Sequence, residues 1–127
     1  MITFRLNTHS GVPPYLQIVQ QVKQSLQVGI LRPGDKLPTV KEVVAHVAIN
    51  PNTVFKAYRE LEMQGLVEGR TGSGTFVKKR PEGPSPEIHN ALGKELDGWV
   101  TNAKKAGLDE EEIEALLRIA LHKSKEG

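Results

Sequence analysis

The sequence of 127 residues contains no cysteine. That absence removes disulfide bridges, thiolate metal sites and cysteine nucleophiles together, and it fits a reducing compartment. Nowhere do 18 apolar residues run consecutively, and residues 1–7 carry Arg5 without a long apolar run, so neither a membrane span nor a signal peptide is supported. The four histidines, His9, His46, His89 and His122, are scattered without the spacing of metal ligands. With no thiol nucleophile and no histidine cluster, the expectation is a protein that is not an enzyme, with no catalytic residues, no metal and no cofactor. No internal repeat of useful length occurs. A soluble cytoplasmic chain with no membrane partner is expected.

What is present divides sharply by charge. Residues 1–80 hold 11 Lys and Arg against 5 Asp and Glu, a net +6, whereas residues 81–127 hold 6 against 10, a net −4. A basic front joined to an acidic back points to a polyanion-binding module carrying a module of another kind. The length suits one buried core plus an appendage.

The first helix opens at Pro13-Pro14 and places Tyr15, Ile18, Val19, Val22 and Leu26 on one face before Gly29 ends it. A turn at Pro33-Gly34-Asp35 follows. Thr39 and Glu42 then form a capping box for a short second helix carrying Val40, Val43, Val44 and Val47. Asn50 caps a third helix with Pro51 at its first position, a buried stripe at Val54, Ala57, Tyr58 and Leu61, and a stop at Gly65. Residues 66–78 change to a β-hairpin pattern with a glycine-rich tip, and residues 2–6 are expected to add a small strand. Three helices and a hairpin make a winged helix.

Three prolines and a glycine within residues 80–86 read as a linker. After it, Ser85 and Pro86 start a helix with Ile88, Leu92, Leu96, Trp99, Val100 and Ala103 at apolar spacing, weakened by Gly93 and Gly98 and ended by Gly107. Asp109 and Glu112 cap a last helix with Ile113, Leu116, Leu117, Ala120 and Leu121. The expected fold is mainly α with a small β-hairpin, an N-terminal winged helix-turn-helix followed by a short C-terminal two-helix dimerisation segment. Its parts are a DNA-binding domain over 1–80, a linker over 81–86 and a helical hairpin over 87–127. The hairpin's stripe of Ile88, Leu92, Leu96, Trp99, Ile113, Leu117 and Leu121 exceeds what two helices bury against each other, so a homodimer is the expected cover.

A helix-turn-helix presents its second helix to the major groove. At 100° per residue, the core stripe of the third helix centres near roughly 350° from Val54, while Asn52, Lys56 and Arg59 fall opposite, at roughly 140–200°. An amide and two cations on the solvent face suit bases or phosphates, although an ordinary solvated face would look the same. Phe55 lies at the edge between core and solvent, where partial burial is favoured over contact with a thymine methyl. Tyr58 is on the core stripe, where a structural role comes first and its hydroxyl is a secondary candidate for a phosphate. Lys36, Thr39 and Lys41 surround the start of the second helix, a phosphate-binding position that a plain cap also explains. In the wing, Gly72 and Gly74 permit close approach while Arg70 and Ser73 reach for backbone or minor groove.

Residues 14–77 resemble the DNA-binding domain of the GntR family of bacterial regulators. The resemblance rests on Pro14-Tyr15-Leu16-Gln17-Ile18, on residues 29–39, on Thr53-Val54 with Ala57-Tyr58, on Leu61-Glu62, on Gly65-Leu66-Val67, and on Arg70-x-Gly72-x-Gly74-Thr75-Phe76-Val77. Asn50-Pro51-Asn52-Thr53-Val54 and the short tail are similar to the YtrA-like subfamily, in which a two-helix segment serves dimerisation. The resemblance implies contacts from Thr39, Lys41, Asn52, Thr53, Lys56 and the wing from Arg70 to Gly74. Asn50 joins them as the residue at the helix start. Lys41 and Pro51 stand where many members carry arginine; lysine loses the bidentate fork, and proline removes a base-reading side chain. The function implied is a transcription regulator, a repressor, binding a palindromic double-stranded operator as a homodimer. The 41 residues after the linker are few for enclosing a pocket, which argues against a small-molecule effector there. The competing class is a protein-interaction module, and a steep salt dependence of DNA binding separates the two.

Overall fold

The computed structural model describes residues 2–126 and divides the chain into two compact units, Met1–Glu87 and Ile88–Gly127. In the first unit, helix α1 (Pro14–Gln27) starts on a proline at its first turn and buries Gln17, Ile18, Val19, Val22 and Leu26. Helix α2 (Val40–His46) has only seven residues, four of them lost to ordinary helix propensity as valine or histidine, and it is started by a complete capping box. The Glu42 N–H donates to Thr39 Oγ1 and the Thr39 N–H donates to Glu42 Oε1, each at 3.1 Å. Helix α3 (Pro51–Met63) buries Val54, Ala57, Tyr58 and Leu61, the stripe that its periodicity predicts.

Strands β1 (Val67–Arg70) and β2 (Gly74–Val77) pair antiparallel, with Val67 opposite Val77 and Arg70 opposite Gly74. The additional edge of this wing comes from residues 34–37 and not from residues 2–6. The Gly34 N–H donates to Val77 O at 2.9 Å, the Val77 N–H to Asp35 O at 2.7 Å and the Leu37 N–H to Thr75 O at 2.8 Å. The expected N-terminal strand is absent because glutamine side chains take the place of a strand partner. Gln17 accepts from the Asn7 N–H at 2.8 Å and donates to the carbonyls of Asn7 and Val12, while Gln21 accepts from the Arg5 N–H at 3.0 Å. The buried Gln17 amide is thereby satisfied, and the segment lies along α1 with Phe4 in the core.

That core joins Phe4, Ile18, Leu26, Leu37, Leu61 and Val77, residues from nearly the whole length of the unit. Each fully buried Leu or Ile stabilises the fold by about 1.5–3 kcal/mol. At its end, the Arg80 guanidinium donates to Leu26 O at 3.1 Å, to Gln27 O at 3.2 Å and to Pro84 O at 3.0 Å. Helix α1 has no basic residue in its last turn, so this distant arginine supplies the cation its C-terminal carbonyls favour.

The second unit contains helices α4 (Pro86–Lys105), which begins just before the boundary, and α5 (Glu110–Glu126). Gly93 and Gly98 do not interrupt α4. The Glu112 N–H donates to Asp109 Oδ1 at 2.8 Å and the Asp109 N–H to Glu112 Oε1 at 3.1 Å, so the second capping box forms as the sequence indicates. Among the described residues, no helix is long and apolar enough to cross a membrane.

Candidate nucleic-acid interface

Helix α3 exposes Asn52, Phe55, Lys56 and Arg59 and half-buries Thr53, because the opposite stripe is fixed against α1 and α2. Its start is set by Asn50, whose Oδ1 accepts from the Asn52 N–H at 2.9 Å. That oxygen acts as a helix cap. Lys56 lies on the exposed face, yet its ammonium sits 4.1 Å from the centroid of the Tyr15 ring on α1, a cation–π contact that turns it toward the first turn of that helix. Tyr58 takes the structural role that its place on the core stripe predicts. Its ring is buried and its hydroxyl, the secondary candidate for a phosphate, donates to Pro38 O at 2.7 Å and ties α3 to the segment before α2. Burial, with a smaller contribution from the Glu42 charge, holds this hydroxyl well above the usual tyrosine range, and it remains a donor.

At the start of α2, Lys36 and Lys41 are exposed and Thr39 is partly so. The Thr39 hydroxyl and N–H are both engaged with Glu42, so a phosphate there competes with the capping box. The Thr39 backbone and hydroxyl hold the Glu42 carboxyl below the ordinary glutamate value, with Lys36 and His46 adding smaller attractions.

The wing closes through a turn in which the Ser73 N–H donates to Arg70 O at 2.9 Å. Gly72 has φ +78° and Gly74 φ +119°, values that side-chain-bearing residues adopt only with strain. At Gly74 the missing side chain has a second use: a Cβ there would lie 2.7 Å from Lys36 Cε, so the lysine stem crosses the wing over the glycine. Arg70 donates to Glu68 Oε1 from Nε at 3.1 Å and Nη2 at 2.9 Å, with its guanidinium 4.4 Å from the Phe76 ring.

An open groove of about 320 Å³ runs between these parts, lined by Thr39 at the start of α2, by Phe55 and Arg59 of α3, and by Gly74 and Thr75 of the wing. Phe55 is half exposed there, between the core and solvent as its angular position predicts. The fold thus brings Lys36, Thr39, Arg59 and Gly74 around one surface. Sequence reasoning missed Glu68 and Glu62, whose carboxylate accepts from the Gly69 N–H at 3.2 Å. The signal for Glu68 was available, since residues 68 and 70 of a strand face the same side. In the second unit, Ile88, Leu92, Leu96, Trp99 and Leu121 are exposed and Leu117 is half buried. Ile113, expected on the outer stripe, is 5% exposed, and Ala103 is buried in the same unit at 9%.

Residues 14–77 match the family described as "Bacterial regulatory proteins, gntR family". The chain belongs to the GntR family. It is 38% identical over 110 residues to the HTH-type transcriptional repressor YtrA of Bacillus subtilis (strain 168), covering 86% of this chain and 85% of the relative. It is 42% identical over 105 residues to YhcF, an uncharacterized HTH-type transcriptional regulator of the same strain, covering 82% and 86%. Among solved structures, a transcriptional antiterminator from Listeria monocytogenes EGD-e aligns with a TM-score of 0.60 and 33% identity over 94% of this chain and 90% of that one. AraR(DBD) in complex with operator ORX1 aligns with a TM-score of 0.54 and 26% identity over 61% of this chain and 99% of that one. The GntR chain is accordingly a YtrA-like transcription regulator, its first unit a DNA-binding winged helix.

Proposed function

We propose that this GntR protein is a repressor that binds a palindromic operator as a homodimer, reading bases with α3 and holding the backbone with the start of α2 and the wing. The carrying observation is the convergence of Asn52, Lys56 and Arg59 on the exposed face of α3, beside a groove bordered by Thr39 and the glycine wing. An amide and a guanidinium are the groups that pair bidentately with adenine and guanine edges, and a basic surface supplies phosphate affinity. Repressor function is supported by the relative named as a repressor, and operator binding by the AraR complex. Residues 1–80 are the DNA-binding domain, 81–86 the linker and 87–127 the dimerisation segment, in a cytoplasmic protein. Self-association follows from the apolar residues that the second unit leaves exposed, including Trp99 at 40% and Leu92 at 57%.

The test is selection of duplexes from a randomised DNA library by the full chain, sequenced, with sedimentation of the free protein. Two inverted half-sites and a dimer are expected. A single unpaired motif bound by a monomer, or no enrichment with a salt-independent affinity, overturns the reading.

A further inference from the structure

The outer face of the wing carries three side chains that the strand geometry forces together. Glu68 and Arg70 are two residues apart on β1 and so face the same side, and Phe76 sits directly across from Glu68 in the β1–β2 register. The result is a guanidinium lying 4.4 Å from the Phe76 ring with its Nε and Nη2 edge closed on a single carboxylate oxygen, Glu68 Oε1, at 3.1 and 2.9 Å. Both partners remain in solvent, with side chains 54% and 41% exposed, so the pair is not part of the core.

We propose that Glu68 is a built-in competitor for DNA: its carboxylate occupies the side-on Nε–Nη2 edge of Arg70, and a phosphate or a minor-groove acceptor that uses this edge exchanges with it. This rests on the reading of the wing as a DNA contact. A carboxylate and a phosphodiester present the same acceptor chemistry to an arginine fork, and the occupied edge is one of its two bidentate edges. Once displaced, the Glu68 charge is left facing a polyanion, so competition and repulsion act in the same direction. Orientation of the guanidinium does not depend on Glu68, because the Phe76 ring supports it independently. Glu68 therefore lowers the affinity for every sequence by a similar factor and sets the absolute strength of binding, not the ratio between operator and random DNA. Exposure keeps the ion pair weak, which keeps that factor small.

The test is a double-mutant cycle in the full-length protein, using Glu68→Gln, Arg70→Ala and the combination. The probes are a duplex enriched by the full chain and a scrambled duplex of equal length, both at low salt. Glu68→Gln is expected to tighten both probes by about three- to fivefold, an advantage that shrinks as salt rises and that is largely lost when Arg70 is alanine. An equal gain with and without Arg70 would reduce Glu68 to a distant charge and overturn the proposal. Weaker binding by Glu68→Gln would also overturn it, making the carboxylate a support for the arginine. Failure of the wild-type protein to bind either duplex would instead remove the DNA-binding reading itself.

Discussion

Two side chains on α3 separate the proposed reading of DNA from the packing that builds the exposed surface. Asn52 is exposed near the start of the helix, whereas the Tyr58 hydroxyl is buried on Pro38 O. Asn52→Ala is expected to weaken operator binding by about 1–3 kcal/mol while leaving scrambled DNA nearly unaffected, measured by titration of both duplexes. Equal losses on the two would place Asn52 on the phosphate backbone. Tyr58→Phe is expected to reduce unfolding free energy by about 0.5–1.5 kcal/mol in urea titrations, with no change in the DNA affinity of the folded protein, because it deletes a buried hydrogen bond and no phosphate contact. An equal loss of affinity for operator and scrambled duplexes in a stably folded Tyr58→Phe protein would return the hydroxyl to the interface. The angular position of each residue on α3 was legible from periodicity alone. The partners of Lys56 and Tyr58 were not, since Tyr15 and Pro38 lie 41 and 20 positions away in the chain and meet α3 only through tertiary packing.

At the scale of elements, α2 is the most dependent on its termini, since it buries only Val43 fully and has seven residues. Folding holds the Glu42 carboxyl below its ordinary value. The capping box therefore favours the folded state fully above the ordinary glutamate range and loses that contribution as pH falls through the lowered folded-state value. Urea unfolding followed across acidic pH is expected to show wild type more stable than Glu42→Gln near neutrality and the difference closing on acidification. A difference that persists unchanged at the acid end would assign the effect to packing. The caps and stripes were readable because they depend on residues three or four apart. The third edge of the wing was not: residues 34–37 show turn chemistry at Gly34-Asp35 and too short an extension for alternation. Residues 2–6 misled in the opposite way. Ile2, Phe4 and Leu6 do alternate and do pack on the core, but Gln21 answers the backbone of Arg5 and no strand does.

For the whole molecule, the core lies entirely between Phe4 and Val77, and Arg80 remains able to reach the end of α1 in a fragment of residues 1–80. That fragment is expected to fold cooperatively, to sediment as a monomer and to lose most of the operator affinity that two joined half-site readers gain through effective concentration. A fragment that remains dimeric and binds the operator as tightly as the full chain would free the second unit for a different partner. The span of this core also orders events during synthesis. Phe4 and α1 emerge from the ribosome early, but the strand residue Val77 that completes their packing and the Arg80 that caps α1 come 50 and 53 residues after the helix ends. Helix α3 can cover the apolar face of the first helix before then, but until Val77 and Arg80 arrive the core is incomplete and the C-terminal carbonyls of α1 are open, so the basic module reaches its final fold only after its last strand has left the tunnel.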